Sequence, residues 1–116
     1  MRRALYAILV AIPGAVFASG PYDGLYRPQG APDWDCRSIG QPSGAIAIAN
    51  GSLIAVESRC SLRDPKPVRG MTATLFDMVC DGKVGHWEER VMILDTPDGI
   101  AMIRGKGPIA LLSSCR

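Results

Sequence analysis

From Ala45 to the last cysteine the chain never runs far without a glycine or a proline, and that punctuation limits what it can fold into. Asn50-Gly51, Asp81-Gly82, Thr96-Pro97-Asp98-Gly99 and Lys106-Gly107-Pro108 cut it into short apolar segments. The segments alternate with the period of a β-strand, and none carries a capped helical stripe. Short strands joined by tight turns pair as antiparallel neighbours. At least six of them predict an all-β fold, a small antiparallel barrel or sandwich of about six to eight strands. Residues 19–44 are rich in Gly, Pro and Asp and predict an irregular N-terminal arm with one short strand at 24–26, leaving 45–116 as the antiparallel β domain.

The hydrophobic pattern proposes a register for each hairpin. Across Asn50-Gly51 a three-residue loop with a bulge collects Ile46, Ile48, Ile54, Val56 and Cys60 on one face, whereas a two-residue loop separates Ile46 and Ile48 from Ile54 and Val56. The first gathers the large aliphatics together and is the expected one. Arg63-Asp64-Pro65-Lys66-Pro67 predicts a loop outside any ladder, because its two prolines lack donors. The next strand, 71–80, places Phe76, Met78 and Cys80 on one face, and 86–95 follows it. Across Thr96-Pro97-Asp98-Gly99, with Gly99 left-handed, one face carries Met92, Leu94, Ile100 and Met102 and the other Val91, Ile93, Ala101 and Ile103. Both faces are apolar, so the second is expected to lie under another strand.

The first 18 residues predict an export signal. Met1-Arg2-Arg3 is a positive start, Ala4 to Ile12 is an unbroken apolar run, and Val16-Phe17-Ala18 suits cleavage after Ala18. The run is too short for the ~20 residues that a membrane-spanning helix needs, so no membrane anchor is expected after cleavage. All four cysteines, Cys36, Cys60, Cys80 and Cys115, lie beyond the cut. Their spacings of 23, 19 and 34 intervening residues are unlike the close pairs of a zinc site. They predict two disulfides in a periplasmic or secreted protein. Three connectivities are open; the expected one joins Cys36 to Cys60 and Cys80 to Cys115.

Charge excludes some partners. Without Arg2 and Arg3 the chain holds 11 basic and 11 acidic residues, and it has no basic run, so nucleic acid is not an expected partner. His86-Trp87-Glu88-Glu89 is the place where the single histidine meets carboxylates. On a strand His86 and Glu88 share one face and Trp87 and Glu89 the other. A hydrolase or metal-dependent enzyme centred on His86 would need a third group from elsewhere, and a solvated edge is the expected outcome, with no catalytic residue, metal or cofactor. The arm offers Tyr22, Tyr26, Arg27 and Trp34 as partner-binding candidates, since these residue types recur at interface hot spots. The alternative is that the aromatics fold back and plug the open end of the sheet. A further alternative is a small-ligand carrier, which requires an apolar cavity inside a barrel.

Gly24-x-Tyr26-Arg27-Pro28, Trp34-x-Cys36, Ala45-Ile46-Ala47-Ile48, Glu57-x-x-Cys60-x-Leu62 and the closing cysteine resemble small exported four-cysteine proteins of Gram-negative bacteria that have no assigned activity. That resemblance brings no functional residues with it. The chain is also similar to periplasmic lysozyme inhibitors, small disulfide-bonded β proteins that insert a loop into the enzyme. Ser19-Gly20-Pro21-Tyr22 matches the Ser-Gly-x-Tyr loop of one inhibitor class, though near the start of the mature chain rather than in an internal loop. Together these readings predict an exported, non-catalytic binding or structural module acting on an unidentified periplasmic or exported protein.

Overall fold

The structure, a computed structural model, describes residues 20–115. The predicted export signal and Ser19 lie outside the described residues. Every regular element among them is a strand: β1 Gly24–Pro28, β2 Ile46–Ala49, β3 Ser52–Ala55, β4 Ser58–Pro67, β5 Ala73–Gly82, β6 Gly85–Thr96, β7 Gly99–Arg104 and β8 Ala110–Ser114. Each pairs antiparallel with the next, and β8 pairs with β1, so the sheet closes into an eight-stranded up-and-down barrel. Closure leaves no strand edge unpaired. The predicted arm therefore supplies a stave, because β1 sits between β2 and β8. β2 and β3 have four residues each, about 13 Å at ~3.3 Å per residue. β4, β5 and β6 are longer, at 10, 10 and 12 residues, so the wall is uneven in height around the barrel.

The hairpins differ from the expected registers in instructive ways. Ile48 faces Leu53 and Ala49 faces Ser52, so Asn50-Gly51 is a two-residue loop. Asn50 and Gly51 have φ of 52° and 76°, the left-handed pair of a turn whose twist matches that of the strands it joins. Ile46, Ile48 and Leu53 point inward as a result, and Ile54 points outward. The strand then ends early at a second tight turn, Val56-Glu57, where Glu57 is left-handed at φ 58°. Val56 thus belongs to a turn and not to the core. The stretch 63–67, expected as a loop, is the end of β4. Arg63 pairs with Asp77 and Lys66 with Leu75, leaving one extra residue in a bulge at Asp64-Pro65. A proline is tolerated there because the ladder is already interrupted.

The 90–104 hairpin pairs as expected across Pro97-Asp98, but its faces are reassigned. Directly opposed residues share a face, and Ile93 opposes Met102 while Asp95 opposes Ile100. Val91, Ile93, Ile100 and Met102 are buried inside the barrel. Met92, Leu94 and Ile103 face outward, and no strand covers them: closure turns one face of every stave in and the other out. Gly99 is not left-handed either. A Cβ there would overlap the carbonyl oxygen of Leu112, so the glycine permits the close approach of β7 and β8.

The disulfides are Cys36–Cys115 and Cys60–Cys80, which replaces the expected connectivity. Cys60 and Cys80 are opposed on β4 and β5 and point into the barrel. Cys36 lies on the long β1–β2 connection. That segment runs outside the barrel: Gly40 lies against Ile54, and the outward Ala45 and Ala47 are buried beneath it. The bond from Cys36 to Cys115, the residue after β8, clamps this segment to the β1–β8 seam.

Candidate functional site

An eight-stranded barrel has an interior just wide enough to be filled by side chains or to hold one small ligand. Here the two ends differ. At the end bounded by the β2–β3, β4–β5 and β6–β7 turns, aromatic side chains fill the opening. Tyr22 and Tyr26 are 4% and 5% exposed. The Tyr26 hydroxyl donates to the Tyr22 carbonyl oxygen at 2.5 Å, and the Tyr22 hydroxyl shares a hydrogen bond of 3.0 Å with Thr74 Oγ1. Phe76 packs edge-on against Tyr22, with ring centroids 6.3 Å apart. Burial, reinforced by Asp95 and Asp23, pushes the Tyr26 hydroxyl above its ordinary pKa. A hollow of about 340 Å³ lies against this plug, lined by Tyr22, Thr74 and Phe76 and by Pro21, Leu62 and Pro65.

The opposite end, bounded by the β3–β4, β5–β6 and β7–β8 turns, is open. Its cavity, about 260 Å³, is walled by Ile46, Leu53, Ala55, Cys60, Met78, Met102 and Leu112. Ala55 and Ala110 keep it open, since the strand alternation brings a methyl group inward where a larger side chain would fill the mouth. Trp87, Arg104 and Ser58 complete the lining.

The charged part of this mouth is an ordered triad. Glu89 accepts from Arg104 Nε at 3.1 Å and Nη2 at 2.6 Å, and from the Trp87 indole N–H at 3.1 Å. Hydrogen bonding from Arg104 holds the Glu89 carboxyl below its ordinary pKa, against the opposing effect of burial. The Glu89 side chain is 17% exposed and that of Arg104 40%. The fork locks the tryptophan and the arginine into one rim.

The predicted candidates are distributed over the molecule and do not form one site. Tyr22 and Tyr26 lie in the plugged end. Arg27 is on the outward face of β1 with its Nη1 donating to the Pro32 carbonyl, and Trp34 sits half-buried on the outer connection. His86 projects outward beside the β5–β6 turn. Its Nδ1 lies 2.9 Å from Asp81 and its Nε2 3.4 Å from Glu88, in the open. This cluster is solvated; Glu88 also lines two hollows beside Glu89, whereas His86 and Asp81 line neither. Sequence reasoning put Trp87 and Glu89 on one face, as they are, but missed Ser58 and Arg104. The signal for Arg104 was a charge in phase with Ile100 and Met102.

The His86 contacts make a prediction. Hydrogen bonds to Asp81 and then Glu88 favour the imidazolium and raise its pKa above the ordinary histidine value. The raised folded-state value means that this cluster adds stability below the unfolded pKa and loses it as pH rises through the folded one. A pH titration of the His86 ring protons by NMR is expected to give a value above 6.5, and Asp81→Asn should bring it down. An unchanged value in that variant would sever the link to Asp81.

Outside the barrel, β5–β8 present Leu75, Met92, Leu94, Ile103 and Leu111 side by side. Leu111 is 47% exposed. Among the described residues no group of three or more His, Cys, Asp or Glu is arranged to hold a metal ion. Comparison of the chain with family models, curated proteins and solved structures finds no match.

Proposed function

We propose that the chain is a non-catalytic binding module of the periplasm or the extracellular space that takes a small apolar ligand into the open mouth of its barrel. The two disulfides suit an oxidising compartment. The observation that carries the reading is the apolar cavity between Trp87 and Leu112 in a barrel whose other end is plugged by its own tyrosines. A pre-formed apolar wall with a few polar groups is the usual construction of a small-molecule site. The arm tyrosines are spent on the plug, which moves the binding surface from the arm to the opposite mouth. A second reading, a protein partner on the outer wall, is favoured by the exposure of Leu111 beside Leu94 and Ile103.

Trp87 reports on the mouth directly. In Trp34→Phe protein, the emission of the remaining Trp87 is expected to change saturably when a panel of eight-carbon compounds with different head groups is titrated in. Ala110→Phe, which fills the mouth, should abolish the response while the far-ultraviolet spectrum stays that of the barrel. No saturable response to any member, or an equal response in the filled variant, would end the small-ligand reading.

A further inference from the structure

The charge arrangement at this mouth selects among ligands, an inference that rests on the small-ligand reading above. Two side chains of the cavity lining offer donors to an occupant: the Ser58 hydroxyl and the Arg104 guanidinium. The third polar lining group, the Trp87 indole N–H, is taken by Glu89. Arg104 on its own would invite an anion. It is not on its own, because Nε and Nη2 are both given to the Glu89 carboxylate, which is mostly buried and fixed by three donors. An anionic head group would have to shed its water beside a full negative charge and share a cation that is already neutralised. A cationic head group would meet the guanidinium. Further out, Glu88 and Lys106 flank the same side and bring opposite charges, so the rim adds no net field. What remains available is hydrogen bonding from Arg104 and Ser58 to a neutral acceptor.

We propose that the open mouth binds a small neutral amphipath: an apolar body lying against Ile46, Leu53, Met78 and Leu112, with one carbonyl-type acceptor (ketone, ester, lactone or amide) turned to Arg104 and Ser58. The size follows from the space. About 260 Å³ lies just below the usual range for ligand pockets, ~300–1,000 Å³, so the occupant is a small molecule on the order of ten non-hydrogen atoms. The Glu89 carboxylate acts as the selectivity element. It orients the arginine as a donor while cancelling its charge, so the site rejects the free acid of a compound whose neutral derivative it accepts.

The test uses 2-octanone, octanoate, octylamine and octane at neutral pH, followed by Trp87 emission in the Trp34→Phe protein and repeated by calorimetry. The expected order places 2-octanone first, with octanoate and octylamine each about tenfold weaker or more and octane weaker than the ketone. Glu89→Gln is nearly the same size but removes the charge and one of the two acceptor oxygens, freeing part of the Arg104 guanidinium, and is expected to reverse the order so that octanoate overtakes the ketone. Ser58→Ala should weaken the ketone alone, several-fold. The ranking in the parent protein needs no charge variant, so a Glu89→Gln protein that fails to fold leaves it decisive. Octanoate binding as tightly as 2-octanone in the parent protein would overturn the head-group assignment while leaving the small-ligand reading standing. Silence from all four would remove both.

Discussion

Removing the Cys36–Cys115 bond is expected to cost about 4–5 kcal/mol, and removing Cys60–Cys80 about 3 kcal/mol. The difference follows from the chain each one closes. Cys36 and Cys115 are 79 residues apart and Cys60 and Cys80 only 20, and the entropy that a cross-link removes from the unfolded chain grows with the logarithm of that span. The shorter bond is nested within the longer, which trims the effective outer loop to about 60 residues and lowers its contribution by only a few tenths of a kcal/mol. The shorter bond also joins strands that the β4–β5 ladder already holds in register. The longer one secures β1 to β8, the seam at which the sheet closes, and the connection lying over β2 and β3. Urea unfolding of Cys36→Ser/Cys115→Ser and of Cys60→Ala/Cys80→Ala proteins measures both. At ~4–8 °C per kcal/mol, the outer pair corresponds to a fall of about 20 °C or more in Tm. A larger loss for the inner pair would show that the seam does not depend on its cross-link.

Much of the architecture is legible in the chain. Turn residues mark the staves, and Phe76, Met78 and Cys80 fall on the inward face that their alternation demands. What escaped reading is what depends on long-range closure. A hairpin with aliphatics on both faces has no polar side to declare which way is out, so Leu53 and Ile54 exchanged places with their expected positions. Glu57 gives no glycine signal for its turn, because an ordinary residue can be held left-handed when the strands on either side require it. Cysteine pairing is set by which strands meet, and Cys115 meets Cys36 only because β8 returns to β1. The candidate site escaped for the same reason. Trp87 and Glu89 are local and were placed together, whereas Ser58, Arg104 and Ala110 come from other strands and become one mouth only in the closed barrel.

Ile93→Ala is expected to cost about 4 kcal/mol, near the upper part of the ~2–5 kcal/mol range for such truncations. Ile93 is 0% exposed, stands mid-strand on β6, and is flanked in the ladder by Thr74 and Met102. The range is wide because some sites collapse onto the deleted atoms and others cannot. A barrel hydrogen-bonded all the way round belongs to the second kind, since its wall cannot move inward without breaking a ladder on either side. Leu53→Ala provides the contrast. Leu53 lies beside the open cavity, so its deletion enlarges a space that water already reaches and is expected to cost about 2 kcal/mol. Denaturant unfolding of the two variants gives both values, and equal losses would mean that the mouth is as closed as the centre. The same pair separates scaffold from site. Ile93→Ala should lower stability while leaving the affinity of a ligand at the mouth within a factor of about two, whereas Leu53→Ala, which removes part of the apolar wall, should weaken binding by several-fold for a smaller loss of stability. A molecule in which those two effects dissociate has its stability in the closed centre and its binding at one end.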